Sequence, residues 1–327
     1  MKRMAGTAVR VGACLAVAWG CFAPATAWGR PVLKMDLPDW SKTPVEDHDL
    51  GHGVHMLESF GGNIGVLAGR HGVLLVDAEW PQLHAKVLAA VRRISLEPIR
   101  YLVNTHWHWD HVGGDGLFGK AGAVIFSSAQ TRRYIVAAQG RNNPPGSPYA
   151  PDPEAIPVVT LDSGMKIQFH LAGQTIEVMH VPPAHTDGDL IVRYVDADII
   201  QTGDTFFHGF YPDIDDAHGG TIDGMIAFYD TLYRMCDAGT KIIPGHGPVA
   251  SRNDVREYQA MLRQVRDRVA RAIAGGMTEE QLIASHPLDD LDRKWGGNLV
   301  KQPYLLGIVY EELKKDGAAR RHPAPRR

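Results

Sequence analysis

Four side chains able to bind a metal fall within six residues, His106-Trp107-His108-Trp109-Asp110-His111, directly after the apolar run 99–103. At a strand end, alternate residues face the same way, so His106 and His108 can reach a single point. Asp110 and His111 lie in the turn that follows, where Gly113-Gly114 lets the backbone fold back, and so can aim at a second point nearby. Imidazole and carboxylate are the ligands zinc takes where thiolates are absent. A lone HxH pair says little, because surface histidines are common. HxHxDH followed by two glycines is far more specific.

The surrounding chain supplies strands and helices to carry these residues. Three short apolar runs, GVHMLES, NIGVLAG and GVLLVDA, are split by Gly-rich turns and read as strands, with Ser59-Phe60-Gly61-Gly62 as a hairpin loop. Pro81 opens a helix to about residue 93, with Leu83, Val87, Leu88, Val91 and Ile94 on one face. Strands are expected at 99–103, 123–126, 166–171, 175–180, 190–195, 199–202 and 241–243. Helices are expected to about 138, at 222–236, through 255–273 and from 303 to 314. Thr278 with Gln281 has the form of a capping box. The Pro-rich stretch 140–157 must be a long loop. Strands and helices alternating in two rounds argue for sheets flanked by helices.

The histidine run resembles the metallo-β-lactamase superfamily, and the resemblance continues along the chain over roughly residues 53–250. Asp77 at the end of VLLVDA, Pro182-Pro183-Ala184-His185-Thr186-Asp187-Gly188, Thr202-Gly203-Asp204-Thr205 and Pro244-Gly245-His246-Gly247 look like its remaining motifs in their order. The resemblance implies an α+β fold, a four-layer αββα sandwich. It implies a first metal on His106, His108 and His185, a second on Asp110, His111 and His246, and Asp204 bridging the two. The cofactors implied are two Zn2+, with iron or manganese as alternatives. Asp77 is implied to orient ligands rather than to bind metal. Phe60, Trp107, Trp109, His208 and Tyr211 are candidates for the pocket wall.

Two divalent ions close together lower the pKa of a shared water towards about 7, and the resulting hydroxide can attack a carbonyl carbon. Asp110 and Asp204 are the expected catalytic carboxylates, Asp110 accepting a proton or orienting the nucleophile. No GxSxG run is present. Members of the superfamily that cleave thioesters and lactones usually carry the bridging Asp, as at Asp204, whereas β-lactamases usually carry Cys or Ser there. The implied function is therefore hydrolysis of a β-lactam, lactone or thioester-like substrate. Some members hold a di-iron centre and do redox chemistry, which is the alternative reading.

Lys2, Arg3 and Arg10, the apolar run VGACLAVAWGCFA and the small residues Ala23, Ala25 and Ala27 describe a secretory signal peptide over 1–27. Its apolar run falls short of the roughly 20 residues that span a bilayer, so no membrane insertion is expected after cleavage, and the protein should be periplasmic or secreted. Removing 1–27 takes Lys+Arg from 34 to 31 against 37 Asp+Glu, a net charge of −6, which argues against nucleic acid and leaves a small molecule as the expected partner. Cys236 then stands alone, so core and metals must hold the fold without a disulfide. The expected organisation is an irregular lead-in at 28–50, a catalytic domain at 51–316 and a disordered tail at 317–327. The sequence carries no signal for oligomeric state.

Overall fold

The structure, a computed structural model, describes residues 36–139, 152–297 and 299–321. The expected signal peptide at 1–27, residues 140–151 of the Pro-rich loop and the last six residues lie outside the described residues. The first sheet holds seven strands in sequence order: β1 (Glu46–Gly51), β2 (Val54–Glu58), β3 (Ile64–Gly69), β4 (Gly72–Val76), β5 (Ile99–Val103), β6 (Val124–Ser128) and β7 (Val159–Leu161). The second holds β8 (Lys166–Leu171), β9 (Gln174–His180), β10 (Leu190–Tyr194), β11 (Ile199–Gln201), β12 (Lys241–Ile243) and β13 (Ala250–Ser251), also in sequence order across the sheet. β4 through β7 pair in parallel, as do β11 and β12; the other neighbours are antiparallel.

Alternation along the strands sorts their side chains into layers. Leu67, Leu74, Val76, Val178, Val192, Ile199 and Ile243 are buried together between the sheets. Their strand neighbours Val66, Val73 and Leu75 face outward onto α1 (His84–Ile94), where Val87, Ala90 and Val91 meet them. On the other sheet Ile191, Ile200 and Ile242 face outward onto α5 (Ile222–Met235) and α6 (Arg252–Ala274). Since successive strand residues point to opposite faces, both faces of each sheet must be covered, and the result is the expected αββα sandwich.

The helices between β5 and β6 were not anticipated: α2 (Trp109–Val112) and α3 (Asp115–Lys120) replace the simple turn. Gly113 and Gly114 adopt ordinary helical angles, so they do not fold the chain back by conformational freedom. They are needed for closeness, because a Cβ on Gly114 would lie 2.4 Å from the Ala78 carbonyl oxygen. α4 (Ala129–Gln139) follows β6 as expected.

Two expectations at the ends are corrected. The lead-in 28–50 is not irregular throughout, because Glu46–Gly51 pairs with β2 as an edge strand. Its charged residues Glu46, Asp47 and Asp49 suit an edge, where they discourage pairing with other chains. The tail is not disordered from 317. After α7 (Glu279–Ala284) and the unanticipated α8 (Asp289–Trp295), α9 runs over Gln302–Arg321, since no proline interrupts the sequence between Pro303 and Pro323.

Candidate metal centre

The cluster forms where strand ends from both sheets meet. β4 ends at Val76, and Asp77 follows in the left-handed region at φ 67°. Its carboxylate is fully buried and accepts from the Thr105 backbone N–H at 2.7 Å, the Thr105 hydroxyl at 2.8 Å and His111 Nδ1 at 2.8 Å. Asp77 thus ties the end of β5 to α2, which fits the orienting role implied for it. β11 and the parallel β12 deliver Asp204 and His246 side by side. A Cβ at Gly245 would fall 2.0 Å from Asp204 Oδ1, so only glycine lets that carboxylate occupy its place. His185 lies in the loop after β9, fixed by Asp189, which accepts from the His185 N–H at 2.8 Å.

All seven expected ligands come together. His106, His108, His185 and Asp204 form one group and Asp110, His111 and His246 another, the ligand atoms within each lying within 4.8 Å of one another. Asp204 faces both groups. Its Oδ2 is 3.7 Å from His106 Nε2 and 3.8 Å from His185 Nε2, and its Oδ1 is 3.0 Å from His111 Nε2 and 3.4 Å from His246 Nε2. Asp110 Oδ2 is 3.3 Å from His246 Nε2. Four ligands held tetrahedrally at about 2.0–2.1 Å from a zinc ion would sit roughly 3.3 Å apart, close to these separations.

Hydrogen bonds to the far ring nitrogens set which nitrogen faces the cluster. The Thr105 hydroxyl gives its one proton to Asp77, so at 3.0 Å it accepts from His106 Nδ1 and leaves His106 Nε2 with a lone pair. His185 Nδ1 donates to the Asp213 carbonyl at 2.8 Å, and His111 Nδ1 to Asp77. His108 is turned the other way: Nε2 donates to Asp215 at 3.0 Å, and Nδ1 faces His185 Nε2 at 3.0 Å. In their neutral forms these rings all aim an unprotonated nitrogen inward, as metal-binding histidines do. His106 Nε2 is buried with no hydrogen-bond partner among the described residues. Such orphaned atoms cost free energy unless an ion takes them up, so five imidazoles and two carboxylates fit a pair of divalent cations.

The electrostatics agree with competition between metal and protons. Burial and neighbouring histidines keep His106 well below the usual imidazole range, and burial with the His108 charge brings His185 down to about 4. For His108 burial is outweighed by the Asp215 hydrogen bond and charge, which hold the ring up to about 9. His246 is likewise raised to about 10 by Asp204 and Asp110 despite its burial. Burial raises Asp110 and Asp204, but the surrounding histidines win and keep both carboxyls below the ordinary range, ionised at neutral pH.

Several residues of the centre carried no readable signal. Asp215 receives His108 and also His218 Nδ1, at 2.7 Å. Asn63 donates through Nδ2 to the Pro244 and Gly247 carbonyls at 3.0 and 2.8 Å, bracketing the His246 loop. Glu79 accepts from Gly61 and Trp80 and is pushed up to about 7, mainly by burial. Phe207 stacks on His246 with centroids 5.3 Å apart. Of the wall candidates, Tyr211 is fully buried and hydrogen-bonds Asp292, and Trp109 is buried against Trp80, so both are packing. Trp107 lies half-buried against His108, Phe60 packs edge-on against Trp40, and His208 donates to the Pro248 carbonyl.

An αββα sandwich with two adjoining His/Asp groups at its strand ends defines a metallo-hydrolase class of protein. The chain belongs to the metallo-β-lactamase superfamily, whose model matches residues 57–276. It is 23% identical over 250 residues to a linear primary-alkylsulfatase of Pseudomonas sp. (strain ATCC 19151), covering 65% of this chain and 47% of the relative. It is 27% identical over 110 residues to a hydroxyacylglutathione hydrolase of Pelagibacter ubique (strain HTCC1062), covering 33% of this chain and 37% of the relative. The chain therefore matches less than half the length of either curated relative. Among solved structures, DIM-1 metallo-β-lactamase superposes with a TM-score of 0.55 at 16% identity, over 68% of this chain and 99% of that one. The FIM-1 enzyme from Pseudomonas aeruginosa gives 0.54 at 21% identity, over 67% and 94%. At such identities these two likenesses speak for the fold alone.

Proposed function

We propose that the protein is an exported, zinc-dependent hydrolase that opens a carbonyl substrate, a β-lactam, lactone or thioester, with an activated water. The single observation that carries this is the convergence of seven inward-facing ligand atoms in two adjoining groups, with His106 Nε2 otherwise orphaned among the described residues. Zinc ions bound there would lower the pKa of a water and polarise the scissile carbonyl. The protein's own part is to orient and to move a proton. Asp110, ionised and beside His246, can hold the attacking water in line or take its proton. Asp204 fixes the spacing of the two groups. His106 and His185, both resistant to protonation, remain available as ligands in mildly acidic conditions.

The named relatives, an alkylsulfatase and a hydroxyacylglutathione hydrolase, support hydrolysis and widen the range of esters to test. The bridging Asp204 favours thioesters and lactones over β-lactams. Export rests on the basic and apolar start of the sequence, with cleavage near residue 27; among the described residues no helix is long and apolar enough to cross a membrane. The test is a hydrolysis screen over β-lactams, lactones, thioesters, phosphoesters and alkyl sulfates, with elemental analysis of the same purified protein. Zinc with turnover of a carbonyl substrate supports the proposal. Iron in the site with no hydrolytic substrate replaces it with the redox reading.

A further inference from the structure

Residues 277–321 lie past the end of the family match, which stops at 276, and carry α7, α8 and α9. They do more than pack against α6, because they hold the loop between residues 206 and 220 by hydrogen bonds. The Tyr211 N–H donates to the Trp295 carbonyl at 2.9 Å, and the Tyr211 hydroxyl donates to Asp292 at 2.9 Å. Gln302 in turn holds Asp292 at 2.7 Å. Nearest the metal centre, the Tyr304 hydroxyl donates to Asp213 Oδ1 at 3.1 Å.

The same loop is what orients two of the three histidines of the first group. The Asp213 carbonyl receives His185 Nδ1, and the Asp215 carboxylate receives His108 Nε2. Tyr304 and His185 are thus fastened to one residue, the first to its side chain and the second to its peptide oxygen. A shift of Asp213 would carry the acceptor of His185 Nδ1 with it. The Tyr211 contacts anchor the loop two residues before Asp213 and touch no ligand, so the two attachments can be removed one at a time.

We propose that Tyr304, on a helix beyond the family match, is a positioning residue for the first metal group, acting through Asp213 on His185. This rests on the reading that His106, His108 and His185 hold an ion. Partners that orient metal-binding histidines commonly govern affinity by about 10- to 100-fold. A residue two bonds removed belongs at the lower end of that range.

The test uses the full metal-free chain titrated with Zn2+ against a chromophoric chelator, with melting temperature recorded before metal is added. Tyr304→Phe should weaken one of two zinc equivalents by about tenfold and leave the other unchanged. In a His246→Ala background the single remaining equivalent should show the same loss. Tyr211→Phe should lower the melting temperature without changing either zinc affinity. Wild-type zinc binding in Tyr304→Phe, or equal weakening of both equivalents, overturns the proposal while the metal reading stands. A wild-type chain that takes up no divalent ion overturns the metal reading and this proposal with it.

Discussion

His106, His108 and His185 each have the outer ring nitrogen fastened, to Thr105, Asp215 and the Asp213 carbonyl, and two of the three are essentially closed to solvent. In the second group only His111 is held in this way, by the buried Asp77. The first group is preorganised by the protein before any ion arrives. In the second, His246 is the most exposed of the five imidazoles at 17%, while Asp110 at 11% is no more open than His108 at 12%. A group held rigid binds its ion at little ordering cost, whereas a looser one must be ordered on binding, so the expected division is between a tighter first site and a looser second.

The largest disruption of that division should come from Asp204, the residue both groups share. Asp204→Ala removes the carboxylate that faces four neighbouring imidazoles, and hydrolysis should fall to background with loss of both metal equivalents, read by elemental analysis beside steady-state rates. Next, Asp110→Asn should cut turnover by about a hundredfold or more while at least the first group stays loaded. Near wild-type rates with both ions bound would remove Asp110 from the chemistry. Asp215→Ala should be milder and confined to one half, weakening a single zinc equivalent by about 10- to 100-fold in a chelator competition.

The smallest effect is on the metal-free fold. His108, His111 and His246 are raised by their carboxylate partners despite burial, His108 to about 9 and His246 to about 10. The stability they contribute is complete below the unfolded imidazole value, near 6.5, and is lost as pH rises towards 10. Metal uptake displaces those same protons and strengthens over the same interval. Melting temperature without metal should therefore decline from pH 6.5 upward, while the increment gained on adding zinc grows. A metal-free melting temperature that rises across that window would contradict the charge assignments.

The motif residues were legible because each belongs to a short local pattern: HxHxDH after a strand, or His and Asp flanked by Gly and Pro. The alternation of strands and helices pointed to sheets flanked by helices, and the family resemblance supplied the four-layer sandwich. Asp213, Asp215, Asn63 and Tyr304 were not legible. Asp215 lies 107 residues from the His108 it holds, and Asn63 lies 181 from the Pro244 it brackets, so no spacing announces the pairing. β1 escaped notice because an edge strand need bury only one residue in six, Leu50, and shows no apolar alternation. α2 and α3 are too short for helical periodicity, and α3 contains glycines.

Whether these seven residues form two metal sites sharing Asp204 is decided by metal content in three proteins. Wild type, His108→Ala and His246→Ala would be loaded with excess zinc, desalted and measured by elemental analysis. The account predicts about two ions per chain in the wild type and about one in each variant, with His246→Ala keeping the equivalent that resists chelation longer. Full occupancy in both variants, or no bound metal in the wild type, would contradict it.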